Sequence, residues 1–220
     1  MTASLTIWRD ALPALLDGLE LSLAVTGVSL LAGLPLGLVL ALGLGARDLA
    51  LRWAALAVAG AGRGAPVLIL LQAAGLGLPA AGMPLSPFAA ASLALGWAAC
   101  AGAGTVIRAG LDAVPADQRE AAAAMGLPFG DVLRFVLLPQ GLRLAVPGLI
   151  GVALLLFQAS SLAVAVGLPE LTGRALQGAG RAEGAGVPVL LLAALLYAAV
   201  SIPALLAIAR LERRRRRPAA

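Results

Sequence analysis

The sequence predicts an all-α membrane protein with five transmembrane helices, and three observations support this fold class. Hydrophobic residues make up 61% of the 220 residues and charged residues only 12%, whereas ordinary soluble domains carry about a quarter charged residues. Several runs without a charged residue exceed the roughly 20 apolar residues that a helix needs to cross a bilayer. The arginines are distributed unevenly around these runs. We therefore expect one membrane domain over residues 1–220.

The charge-free runs place the spans in chain order. The runs at 21–46, 144–169 and 184–209 each predict one crossing. The run at 64–107 is long enough for two crossings, and its central glycines and prolines indicate a turn. The predicted spans are about 20–46, 55–78, 87–110, 144–167 and 186–209.

Arginines near the span ends predict the orientation, because such residues stay on the cytoplasmic side. With the N-terminus outside, three arginines lie externally (Arg9, Arg174 and Arg181) and twelve lie at cytoplasmic ends. Those twelve are Arg47, Arg52, Arg108, Arg119, Arg134, Arg143, Arg210 and the run at 213–217. The sequence thus predicts an external N-terminus and a cytoplasmic C-terminus. The basic run near the C-terminus fits anionic lipid headgroups better than nucleic acid.

Composition also excludes several chemistries. The chain has no His, no Lys and a single cysteine, Cys100. It therefore lacks a P-loop lysine, a Schiff-base lysine and the means for an internal disulfide or a thiolate metal cluster. We expect no enzymatic activity, metal or cofactor in this chain.

A polar segment at 112–143 separates the third and fourth spans. Pro115 ends the third span, because the residue before a proline is pushed out of helical geometry. Asp117 stands at the expected N-cap of a helix of about eight residues, with Glu120 three residues later. Gly126 is expected to end that helix in a left-handed conformation.

A second short helix is expected at about 131–138, ending at Pro139. Helices this short are marginal in water, so another surface must stabilise them. Two interpretations follow. The segment either docks into a groove of a partner protein or forms an ordinary loop at the membrane interface.

The residues of this segment follow a spaced pattern. Glu120, Ala121 and Ala122 are followed after three residues by Gly126, and nine residues later by the sequence Val-Leu-Leu-Pro at 136–139. This pattern resembles the EAA loop of the permease subunits of ABC importers. Further resemblance narrows the family to the polar amino-acid permeases of bacteria. It is carried by the segments at 16–26, 63–66, 77–79, 107–115, 138–143, 161–163 and 167–172.

The resemblance implies a five-helix type I importer permease in the bacterial cytoplasmic (inner) membrane. Such a subunit moves a polar amino acid or similar small polar solute. Its expected partners are two ATPase subunits that bind ATP and Mg²⁺, a second permease (identical or related), an external solute-binding protein and membrane lipid, but no nucleic acid. The residues expected to receive motion from the ATPase are Glu120, Ala121, Ala122, Gly126 and Leu127.

Glu120 has two possible roles at the start of the contacting helix. Its carboxylate either caps its own helix or pairs with an arginine of the ATPase.

Four polar residues are candidates for the translocation path. Arg63 either faces a cavity as a cation or, because Pro66 breaks the helix, bonds freed carbonyls or reaches toward the interface. Gln158, Ser160 and Ser161 either line the path or form hydrogen bonds between helices.

Two other functions compete with import driven by an ATPase. One is a stand-alone secondary transporter or channel, which would need carboxylates or histidines in its spans to couple protons. The charge-free runs that define the predicted spans contain neither. The other is a membrane scaffold that does not transport.

Overall fold

The computed structural model describes residues 2–180 and 186–215, and within these ranges it contains eight helices and no strand. Arg181, Arg216 and Arg217, which entered the prediction of orientation, lie outside the described residues. The helices are α1 Thr2–Leu44, α2 Leu49–Gly64, α3 Val67–Ala80, α4 Pro87–Asp112, α5 Ala116–Ala124, α6 Phe129–Val166, α7 Leu171–Ala179 and α8 Gly186–Arg215.

Four of these helices are long and apolar enough to cross a membrane, within the described part of the chain: α1, α4, α6 and α8. The pair α2 and α3 provides a fifth crossing if it counts as one span. The predicted all-α membrane fold is therefore confirmed.

The second predicted span, at 55–78, is not one straight helix. Helices α2 and α3 meet at an angle of 101°. Ala65 and Pro66 between them are extended, with ψ of 134° at both residues. Proline has no N–H and disfavours helical geometry in the residue before it, so the helical ladder ends there.

Helix α1 extends well beyond its predicted span. It begins at Thr2 rather than near residue 20 and contains 43 residues, which gives a length of about 65 Å. A bilayer with its headgroups is about 40–45 Å thick. The charges of Asp10, Asp17 and Glu20 therefore mark where the helix leaves the apolar layer and not where it ends.

Helices α1 and α4 form the most extensive contact in the bundle. Small residues allow their close approach: a Cβ on Gly37 would lie 2.8 Å from the Cβ of Ala103 and 3.0 Å from the backbone nitrogen of Gly104. Close packing through small residues is typical of helices in membranes. This contact fixes the centre of the bundle.

The predicted second short helix at 131–138 does not exist as a separate element. It is the beginning of α6, which continues through Pro139 to Val166. A π-helical segment, Val132–Leu137, ends two residues before Pro139. Such a widened turn accommodates the proline ring and its missing N–H without ending the helix.

Candidate functional site

Helix α5 begins directly after Pro115, which occupies the N-cap position without a side-chain capping bond. The predicted N-cap, Asp117, was therefore wrong. It lies in the first helical turn, where its Oδ1 accepts a hydrogen bond from the Gln118 N–H at 3.0 Å. Pro115 starts the helix because its ring restricts φ. Glu120 is exposed and does not cap the helix start.

The end of α5 is a Schellman turn. Gly126 has φ of +76°, so the predicted left-handed glycine is confirmed. Its N–H donates to the Ala123 carbonyl at 2.9 Å, and the Leu127 N–H donates to the Ala122 carbonyl at 3.3 Å. These two bonds satisfy carbonyls at the helix end and redirect the chain into α6.

One face of α5 is anchored to the bundle. Ala122 is 5% exposed and belongs to a buried cluster that includes Val114, Val132 and Leu137. The neighbouring Ala121 is exposed. The helix therefore packs on the bundle through a narrow line of contact and leaves its other side open.

Large apolar side chains are exposed at and after the turn. Met125 is 79% exposed, Phe129 66%, Phe135 65% and Leu127 37%. We call residues 116–135 the α5 knob. The guanidinium of Arg47, in the turn between α1 and α2, lies 5.9 Å from the centre of the Phe129 ring, within the range of a cation–π contact. Exposed apolar side chains clustered in this way are typical of an interaction surface.

The candidate path residues do not converge. Ser160 is buried and its hydroxyl donates to the Phe157 carbonyl at 2.7 Å, while the Ser161 hydroxyl donates to the Gln158 carbonyl at 2.7 Å. Both hydroxyls therefore bond within α6 rather than between helices. Arg63 is exposed in the last turn of α2, and no hydrogen bond joins it to these residues within the described ranges.

Sequence reasoning assigned no role to Glu170, which is fully buried at the N-cap of α7. Its carboxylate accepts hydrogen bonds from the Thr172 and Gly173 N–H groups, both at 2.9 Å. The Tyr197 hydroxyl donates to it at 2.9 Å and the Ser22 hydroxyl at 3.3 Å. We call these five residues the Glu170 cluster. It ties α7 to α1 and α8.

Burial is the largest electrostatic effect on the Glu170 carboxyl. Burial raises the pKa of the Glu170 carboxyl, and the two N–H groups, Tyr197 and Ser22 oppose that shift. A helix N-terminus also favours a carboxylate. Tyr197 is the single tyrosine of the chain. This was the one weak indication in the sequence that its hydroxyl has a specific hydrogen-bond partner. The saturated carboxylate acts as a structural anchor.

Comparison with known proteins agrees with this architecture. Residues 33–217 match the family described as binding-protein-dependent transport system inner membrane component. The arginine transport system permease protein ArtQ of Bacillus subtilis (strain 168) is 33% identical, over 84% of this chain and 85% of its own. The probable glutamine ABC transporter permease protein GlnP of the same strain is 37% identical, over 68% and 70%.

A solved structure shares the fold. It is described as an amino acid ABC transporter with histidines, and it is 26% identical with a TM-score of 0.85, covering 94% of this chain and 96% of that one. The predicted resemblance to ABC-importer permeases is confirmed, and neither a stand-alone transporter nor a scaffold accounts for it. The chain belongs to the binding-protein-dependent transport system inner membrane components and is a multi-pass permease subunit of an ABC importer.

Proposed function

We propose that the chain imports a polar amino acid together with a second permease, identical or related. We further propose that the complex contains two ATPase subunits, one of which binds the α5 knob of this chain. The exposed apolar tip of the knob carries this proposal. Met125 and Phe129 extend into the surroundings at 79% and 66% exposure. A nine-residue helix without side-chain caps gains stability when a partner covers it.

The packing of the knob supports a route for mechanical motion. Ala122 packs in the same buried cluster as Ile107 and Leu111 of α4, Val132 and Ala145 of α6, and Ala41 of α1. In the described residues α5 mainly contacts the start of α6. Movement of α5 therefore acts on α6 first and reaches α4 and α1 through the shared cluster. Gly126 and Leu127 form the elbow between α5 and α6, while Glu120 and Ala121 face the ATPase.

The names of the relatives support an amino acid as the solute. They refer to arginine, to glutamine and, in a protein 29% identical over 93% of this chain, to glutamate and aspartate. Such solutes share an α-carboxylate. Arg63, exposed and without an ion-pair partner in the described ranges, is our candidate to meet that carboxylate between the two permeases. We assign Gln158 and Ser161, which form no hydrogen bond with Arg63 in the described ranges, to a different part of the path. Ser160 stabilises the end of α6.

The remaining parts of the importer follow from the family. An external solute-binding protein delivers the solute, and ATP and Mg²⁺ bind to the ATPase subunits. We place the N-terminus outside and the C-terminus in the cytoplasm of a bacterium, from the arginine asymmetry.

The test is reconstitution of the chain with the ATPase and the solute-binding protein encoded beside it. ATP turnover is measured in proteoliposomes with arginine, glutamine, glutamate and aspartate in turn. We expect one of these to stimulate turnover and to accumulate. Leu127→Asp is expected to release the ATPase. Leu176→Asp, at a leucine of α7 that is 51% exposed against 37% for Leu127, is expected to retain it. Accumulation without the ATPase, or unchanged assembly of Leu127→Asp, would contradict the proposal.

A further inference from the structure

We propose that the cleft between α1, α2 and α4 binds one anionic phospholipid. The phosphate lies beside Arg52 and Arg108, and an acyl chain follows an apolar groove along the same three helices. This site is separate from the α5 knob and from the proposed path, so the inference goes beyond import itself.

The polar end of the cleft carries an excess positive charge. A cavity of about 500 Å³ is lined by Arg52, Arg108 and Asp112, together with Thr105 and Gly45. Arg108 is paired with Asp112, since its Nε donates to Oδ2 at 2.8 Å and its second nitrogen forms an ion pair with the same carboxylate. Two guanidinium groups against one carboxylate leave one positive charge. A phosphodiester carries one negative charge.

Arg52 supplies that free charge. Its side chain is exposed, and no carboxylate in the described part of the chain lies within ion-pair distance of it. Gly45 makes room on the opposite wall, because a Cβ at that position would collide with the Arg108 guanidinium. The cavity therefore holds two cations at an open mouth, one of them unpaired.

The second part of the cleft is apolar. A groove of about 450 Å³ lies between the same helices. Its walls are formed mainly by Leu36, Val39, Leu40, Val58, Leu93 and Trp97. The Trp97 indole N–H is already used, because it donates to the Val58 carbonyl at 3.3 Å. This surface offers a ligand hydrocarbon contacts and almost no hydrogen bonds.

The two parts are in line. On α1 the groove is lined from Ala32 to Leu40 and the polar cavity at Leu44, one helical turn after Leu40. Gly45, directly after the helix, also lines the polar cavity. From Ala32 to Gly45 the chain rises about 20 Å. The hydrocarbon of one leaflet is about 15 Å deep, half of a bilayer core of about 30 Å. A headgroup at one end and an acyl chain at the other therefore match a single lipid in one leaflet.

The position of the charge also fits a lipid. The arginine-lined end adjoins the turn between α1 and α2, on the side where we place the cytoplasm. Basic pockets between helices on that side bind anionic headgroups. Helix α2 meets the rest of the bundle through a small buried cluster that contains Ala55, Ala59 and Cys100. A lipid in the cleft would hold α2 against α1 and α4.

The test is native mass spectrometry of the full chain titrated with phosphatidylglycerol or phosphatidylcholine in detergent. We expect one phosphatidylglycerol to be retained in preference to phosphatidylcholine. Arg52→Gln is expected to weaken retention about fivefold. Because Arg52 is exposed and unpaired, this variant is expected to fold. Arg210→Gln removes an exposed arginine at the end of α8 that we place in the cytoplasm, which does not line the cleft, and is expected to leave lipid retention unchanged.

A second pair of variants tests the groove. Val58→Trp fills it and is expected to abolish retention, whereas Leu31→Trp, on an exposed part of α1 outside the groove, is expected to have no effect. Equal retention of the two lipids, or equal lipid retention by Arg52→Gln and Arg210→Gln, would overturn the proposal. So would displacement of the lipid by millimolar inorganic phosphate, which would indicate a free-anion site, or a stable dimer of the chain that excludes lipid from the cleft.

Discussion

Helices α5 and α7 are each nine residues long and flank the long helix α6 on either side, yet they are held in opposite ways. Helix α7 starts at a buried carboxylate that accepts four hydrogen bonds, and its Leu171 is fully buried. Helix α5 starts without a side-chain cap, and Ala122 is its buried residue.

The difference separates two tasks. Helix α7 is a fixed part of the bundle because α1 and α8 complete its hydrogen bonds and its apolar contacts. A Cβ on Gly18 of α1 would lie 2.8 Å from the Cα of Leu171, so the two helices are in direct backbone contact. Helix α5 leaves its apolar tip uncovered, and this is the surface that we propose the ATPase binds. We therefore assign rigid support to α7 and, under the proposed function, coupling to α5.

The largest expected effect concerns which side of the membrane each short helix faces. Helix α6 has 38 residues, about 57 Å, so α5 and α7 lie on opposite faces. In a Cys100→Ala background expressed alone, Leu176→Cys is expected to react with an impermeant maleimide on intact cells. Met125→Cys is expected to react only after permeabilisation. The reverse pattern would invert the orientation and remove α5 from the ATPase side.

Next in size is the effect of removing each helix's glutamate. Glu170→Ala leaves two buried N–H groups without an acceptor and is expected to destabilise the chain by about 3 kcal/mol. Glu120→Ala, at an exposed position, is expected to change stability by less than about 0.5 kcal/mol. A thiol-reactive dye reports unfolding in detergent through Cys100, which is buried and is the single cysteine of the sequence. Equal melting of the two variants would remove the distinction between the helices.

A smaller effect is expected at the elbow of the α5 knob. Gly126→Ala forces a residue with a Cβ into a left-handed conformation, at about 1–2 kcal/mol of strain, and redirects α5 relative to α6. The chain should insert and bind its ATPase. The amount of solute accumulated per ATP hydrolysed should fall below the wild-type value.

Gly130→Ala is the matched control for this variant. Neither glycine has a neighbour within 4 Å of a Cβ position, and only Gly126 of the two has a positive φ. Loss of coupling in both variants, or in neither, would show that the elbow conformation is unimportant.

The smallest effect is expected for the charge of Glu120. Since Glu120 does not cap α5, both Glu120→Gln and Glu120→Ala should weaken binding of the ATPase, by up to about fivefold, as exposed ion pairs are worth about 0.2–1 kcal/mol. Added salt should weaken wild-type binding in the same direction. Glu212→Gln, an exposed glutamate on α8, serves as control. If Glu120→Gln bound the ATPase as tightly as the wild type while Glu120→Ala did not, the charge of Glu120 would be unimportant. Only the shape of its side chain would then matter.

Two predictions from local sequence failed for the same reason. Asp117 is a residue type that favours the N-cap position. However, Pro115, two residues earlier, started the helix because its ring restricts φ. Pro139 is a residue type that usually ends a helix. However, the π-helical turn before it and the packing of Leu137 allowed α6 to continue. In each case a neighbouring backbone conformation decided between two local possibilities.

What the sequence alone determined are properties that depend on composition and on single backbone positions. The charge-free runs identified the membrane class, Pro66 indicated the break between α2 and α3, and Gly126 indicated the left-handed turn. Hydropathy and allowed φ values are local, so they can be read without knowing what lies nearby.

What only the tertiary structure decided are contacts between distant residues. Glu170 meets Tyr197 27 positions away and Ser22 148 positions away. Likewise, Arg52 and Arg108 line one cavity although they belong to different helices. No local pattern encodes such pairs, because the chain must first close α1, α4 and α8 into a bundle before their side chains share a buried volume. The same packing distinguishes the glycines, since Gly37 is held against Ala103 while Gly60 faces open space.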